Sequence, residues 1–175
     1  MANPKEEDIR VILTPDSSWP DGIKKEFQSN LGNGDQLTFK NNYHPGFIVN
    51  FNIEDPQNTG YLFPNDIKKA MWVKKLTGAP GEVKCAKQSE YWDGFKATGV
   101  SPDFKTLTVS NPNDKEQLFV FTLRFTKNPQ SGNCIDWDPG GTDRNGPSSN
   151  LAMNLLVVGV VVVVTATTTK LLGLW

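Results

Sequence analysis

Histidine is nearly absent: His44 is the only one in 175 residues. That excludes metal sites needing two imidazoles and most nucleophile–base pairs in which a carboxylate orients a histidine. His44 lies in Asn42-Tyr43-His44-Pro45-Gly46, a turn sequence, and reads as a solvated loop residue; a dyad with Cys85 or Cys134 is the alternative. Cysteine is equally scarce, with Cys85 and Cys134 alone and no Cys-x-x-Cys. Both read as reduced thiols; a bridge between them would close a loop of about fifty residues, worth roughly 4 kcal/mol. No glycine-rich phosphate loop and no serine in a nucleophile elbow is present, and Gly32-Asn33-Gly34 is a turn.

An excess of positive charge is missing too. Lys170 is the only charged residue after Arg144, so the chain up to Arg144 carries 17 basic against 19 acidic residues. Such a balance gives no long-range attraction for nucleic acid, and no nucleic-acid partner is expected. Asp136, Asp138, Asp143 and Asn145 form an acidic loop that resembles a calcium loop in part. Gly141 stands at its sixth position, but Pro147 occupies the twelfth, where a bidentate Glu is needed. The carboxylates are therefore read as turn formers, and neither metal nor cofactor is expected.

The longest absence of charge runs over residues 145–169, and within it residues 155–164 (LLVVGVVVVV) carry no polar side chain. As a helix, residues 151–169 would measure roughly 28 Å, close to the roughly 30 Å hydrocarbon core of a bilayer. Their Leu and Val residues sum to roughly −3 to −6 kcal/mol on insertion scales. The sequence thus predicts one transmembrane helix, anchored by Leu151, Leu155, Leu156, Val157, Val158, Gly159, Val160, Val161, Val162, Val163 and Val164. Lys170 snorkels and Trp175 sits at the far headgroups in this reading. The N-terminus has Lys5 followed by three acids and lacks the basic and long apolar regions of a secretory signal, so the preceding domain is expected to be cytoplasmic.

Residues 7–14, 36–40 and 46–53 are short runs rich in Ile, Val, Phe and Thr, bounded by Pro, Gly, Asn and Asp. Residues 104–110 and 117–126 read as a hairpin, with Phe119, Phe121, Leu123 and Phe125 sharing one apolar face. Residues 66–76 read as a short helical turn running into a strand, and residues 83–86 and 89–92 are weaker strand candidates. Turn signals every ten residues or so, without a long amphipathic helix, predict a mainly β fold. The gross pattern resembles small bacterial immunoglobulin-like domains: an antiparallel immunoglobulin-like β-sandwich over residues 1–130, a Gly/Pro/Asp-rich loop and linker over 131–150, and the transmembrane helix and tail over 151–175.

Lys68, Lys69, Lys74 and Lys75, interleaved with Met71 and Trp72, form the one basic cluster, read as a solvated face or as a face turned to anionic lipid. Trp19, Trp72, Trp92 and Trp137 read as core or interface residues rather than a sugar platform. The functional expectation is a non-catalytic, single-pass accessory subunit whose partners are membrane lipids and the subunits of an integral-membrane complex. The alternative is a soluble or secreted assembly protein in which residues 155–169 are a strand completing a sandwich, since Val and Thr favour strands. An enzyme is the third reading.

Overall fold

The computed structural model describes residues 3–34, 36–40, 45–78, 85–128 and 134–144. Within them the chain forms β1 (Lys5–Pro15), β2 (Ile23–Ser29), β3 (Gly32–Gly34), β4 (Gln36–Lys40), β5 (Phe47–Glu54), α1 (Ile67–Ala70), β6 (Met71–Lys75), β7 (Lys96–Val100), β8 (Thr106–Asn111), β9 (Gln117–Thr126), β10 (Cys134–Trp137) and β11 (Gly140–Arg144). Six strands order as β3-β2-β1-β5-β8-β7 in one sheet; in the other, β9 carries β10 and β11 on one edge and β6 pairs with it as well, with β4 beyond β11.

Alternation builds the core. Ile9, Val11 and Leu13 of β1, Phe47, Val49, Phe51 and Ile53 of β5, and Leu107 and Val109 of β8 all point inward and are buried. Phe119, Phe121, Leu123 and Phe125 of β9 meet them from the other sheet in a single cluster. Aromatic rings bridge the two layers, with Phe27 and Phe51 of one sheet 6.1 and 5.7 Å from Phe121 of the other, and Phe39 lying 5.3 Å from Phe47. The outward residues of the first sheet are polar and bond to one another. Arg10 pairs with Glu54, Asn52 donates to Asp8 at 3.1 Å, and Thr106 and Thr108 donate to Asn52 and Asn50 at 2.8 and 3.0 Å.

Gly46, at φ 104°, immediately precedes β5, where the backbone passes so close to β8 that a Cβ would lie 2.4 Å from the Asn111 carbonyl oxygen. Only glycine fits there without displacing backbone.

The mainly β expectation stands, but the antiparallel immunoglobulin-like arrangement does not describe these sheets. Both are mixed: β1 runs parallel to β5, and β11 parallel to β4. The expected hairpin is also corrected. Strand β8 pairs with β5 and β7, whereas β9 lies in the opposite sheet, so the connection after Asn111 crosses the core. Asn111 Oδ1 accepts from the Asn113 amide at 2.7 Å, Asn113 adopts φ 46°, and both side chains are buried, which turns the chain inward rather than back along its own sheet.

Part of the segment expected as loop and linker is strand. β10 and β11 keep one register along β9, from Cys134 opposite Thr126 to Asp143 opposite Gln117. They are two halves of one line interrupted at Asp138-Pro139, where proline has no N–H to give the ladder. The Pro139 carbonyl still accepts from the Phe121 amide at 3.0 Å.

The membrane reading is corrected as well. Among the described residues no helix is long and apolar enough to cross a membrane, and α1 has four residues. The residues assigned to the anchor, Leu151, Leu155, Leu156, Val157, Val158, Gly159, Val160, Val161, Val162, Val163, Val164, Lys170 and Trp175, lie outside the described residues. The physical weakness of that reading is its composition: hydropathy does not separate helix from strand, and β-branched side chains favour the strand. The single-pass accessory subunit with its cytoplasmic domain is therefore withdrawn.

Candidate functional site

A small cleft opens where the seam between the sheets is closed by α1, β6 and β7. Asp66 starts α1 by accepting from the Lys68 amide at 3.0 Å, and the helix ends at Met71, whose φ of −151° returns the chain to extended geometry. One turn of helix thus swings Ile67 over the seam and delivers Met71 and Val73 to its floor. From the other side, the turn at Asp93-Gly94 sends Phe95 into the core and places Ala97 of β7 on the wall. The cleft has a volume of about 220 Å³. That is below the roughly 300–1,000 Å³ of small-molecule pockets and suits one or two side chains.

Its rim is aromatic and charged. Tyr91 is 57 % exposed, the one large apolar side chain so exposed among the described residues. Its hydroxyl donates to the Lys68 carbonyl at 2.9 Å, which holds the ring beside the opening. Trp92 packs 5.3 Å from Phe119, tying the rim to the core, and Lys96 pairs with Asp93 at 3.1 Å on the surface. The Val73 amide donates to the Glu90 carbonyl at 2.9 Å, so the rim segment is also held to β6. Among the described strands β7 is the last of its sheet, with a register irregularity between Ala97 and Gly99.

Two polar clusters lie elsewhere. On the outer face of the second sheet, Arg124 lies over the Trp72 ring at 4.4 Å and makes two 2.7 Å bonds to Asp136, whose hydrogen bond raises the guanidinium pKa. Thr122 donates to Asp138 there. Trp72 is 1 % exposed, and its indole N–H has no hydrogen-bond partner among the described residues. At one end of the core, Asp143 is buried against Asn111, and Glu7, also buried, pairs with Lys5.

The residues singled out in the sequence are dispersed. Asp136 and Asp138 face outward on their own partners, while Asp143 faces inward, so the acidic loop does not converge; Asn145 and His44 lie outside the described residues. Among the described residues no group of three or more His, Cys, Asp or Glu is placed to hold a metal. Cys85 and Cys134 are free, half-buried thiols. Lys68 and Lys69 fall on α1, and Lys74 and Lys75 on β6. The four described tryptophans form no common platform: Trp19 sits under Lys25, Trp72 under Arg124, Trp92 against Phe119 and Trp137 against Phe27. Tyr91 was not singled out; the signal available was an aromatic pair, Tyr91-Trp92, immediately before an Asp-Gly turn.

No protein-family model and no curated protein matches the chain. Among solved structures, the inclusion body protein PixA from Burkholderia cenocepacia J2315 is similar at 12 % identity and a TM-score of 0.37, over 81 % of this chain and 96 % of that one. A likeness at that level carries no argument about what this chain does.

Proposed function

We propose that the protein is a non-catalytic assembly protein that works by protein–protein contact, with residues 155–169 adding as a strand to a sheet of its own or of a neighbouring copy. The observation that carries this reading is the side-chain-sized apolar cleft beside an end strand, with Tyr91 exposed at its mouth. Such a cleft offers contact area to a polypeptide and too little room for a typical small-molecule substrate. Around it Lys96 pairs with Asp93 and the Tyr91 hydroxyl donates to the Lys68 carbonyl, contacts that suit a scaffold. Val and Thr in residues 155–169 supply the β-branched composition that strand addition favours.

Sedimentation velocity of the full chain over a hundredfold concentration range tests the proposal. Multimers that weaken in a Tyr91→Ala variant are expected. A monomer at every concentration would sink it.

A further inference from the structure

We infer that the cleft between α1, β6 and β7 is the acceptor for branched aliphatic side chains from residues 155–164 of this chain. This rests on the strand-addition reading above and names the place where the strand lands.

Three observations converge on that occupant. The cleft is walled by Met71, Val73, Phe95 and Ala97 and is sized for one or two side chains. It therefore selects an apolar segment that presents small branched residues in sequence, and residues 155–164 present two Leu and seven Val with no charge. In an extended segment alternate side chains point the same way, so one face can fill the cleft while the backbone follows the edge of the sheet. Next, β7 is the terminal strand among the described ones, with β8 as its ladder partner, so no described strand takes up its other edge, which can pair with added backbone.

Chain length permits the contact. Arg144 follows Asp143, whose carboxylate is bonded to Asn111, and Asn111 adjoins the Ser110 position opposite Lys96 at the cleft. One intersheet step of about 10 Å and one or two strand spacings of about 5 Å put the end of β11 within roughly 20 Å of the cleft. The ten residues between Arg144 and Leu155 reach roughly 33 Å when extended, which is enough for the chain's own domain or for one packed against it.

The test places a benzophenone amino acid at position 91 of the full-length chain, an exposed site where the ring is tolerated, followed by irradiation, proteolysis and mass mapping. Adducts on residues 151–169 are expected, and their yield should fall about tenfold in a Val161→Lys/Val163→Lys background. In the same pair of chains without the photoprobe, amide exchange over residues 67–73 should quicken several-fold in the double-lysine variant. Adducts confined to other segments, no adduct, or unchanged exchange each overturn the inference. Sedimentation separates this from the assembly reading. A monomer with adducts on residues 151–169 keeps the acceptor site and removes assembly, whereas a multimer without them does the reverse.

Discussion

Asn111 and Asp143 tie the two sheets together at one end of the core: the Asn111 Nδ2 donates to Asp143 Oδ1 at 2.8 Å, and both side chains are sealed from solvent. Burial is the dominant influence on the carboxyl. The Asn111 hydrogen bond opposes it and the Asp114 charge reinforces it, and the result is a pKa raised to about 7.

That value sets a pH dependence whose sign is opposite to that of a paired surface carboxylate. Between an unfolded pKa of about 3.9 and the folded value, the unfolded chain has lost the proton that the native state keeps. Stability due to Asp143 is therefore greatest below about pH 4, falls as pH rises to about 7, and is flat beyond. The span corresponds to on the order of 4 kcal/mol. An Asp143→Asn variant keeps the hydrogen bond from Asn111 without the charge. Urea unfolding at pH 5 and pH 8 should show the variant gaining about 4 kcal/mol over wild type at the higher pH and roughly a third of that at the lower. Equal gains at both would refute the assignment.

Gly141 of β11 faces the Phe119 ring so closely that a Cβ would lie 2.3 Å from its Cζ. Phe119 is 1 % exposed and hemmed in by Phe95 and Trp92, so the ring has nowhere to retreat. Gly141→Ala should cost about 1–3 kcal/mol as an overpacked core, read from the denaturation midpoint. A neutral outcome would show that β11 shifts outward instead.

Arg124 serves two partners, Trp72 beneath it and Asp136 beside it. Asp136→Ala leaves the stacking in place and should cost under about 1 kcal/mol, since the pair is partly solvated. Arg124→Ala removes the stacked cation and its stem as well, and should cost about 1–2 kcal/mol more. A thermal-shift comparison in which the two variants match would show that the ring contact adds nothing.

The two thiols should behave independently. Cys85 and Cys134 are both free, so the melting temperature should not change on addition of reductant, and maleimide labelling of the unfolded chain should count two thiols per molecule. Peptide mapping under non-reducing conditions that finds Cys85 joined to Cys134 would contradict the structure.

Several strands were legible because one buried face imposes period-two alternation. Residues 36–40 and 117–126 coincide with β4 and β9, and residues 66–76 do run from a helical turn into a strand. β2 escaped notice because its inward face includes Lys25, which is 4 % exposed and offset by Asp21, so a charge interrupts the apolar alternation. β10 and β11 escaped because Gly, Asp and Pro disguise a strand in which Phe119 requires glycine at position 141. Residues 89–92 form no strand; they make the rim of the cleft. Pairing was the least legible level. The inward faces of β8 and β9 look alike in sequence whether the strands lie side by side or face each other across a core, and the inward turn of Asn111 and Asn113 decides it. The cleft itself depends on three elements distant in sequence meeting at a seam, which local patterning does not encode.

The ladder partner of β4 is β11, synthesised about a hundred residues later. Leu37 and Phe39 leave the ribosome long before the strand that will lie beside them. The nascent chain must therefore shield a greasy, half-made sheet until Arg144 has emerged, and any premature stop before Gly140 should release a product fit for degradation rather than a smaller working domain.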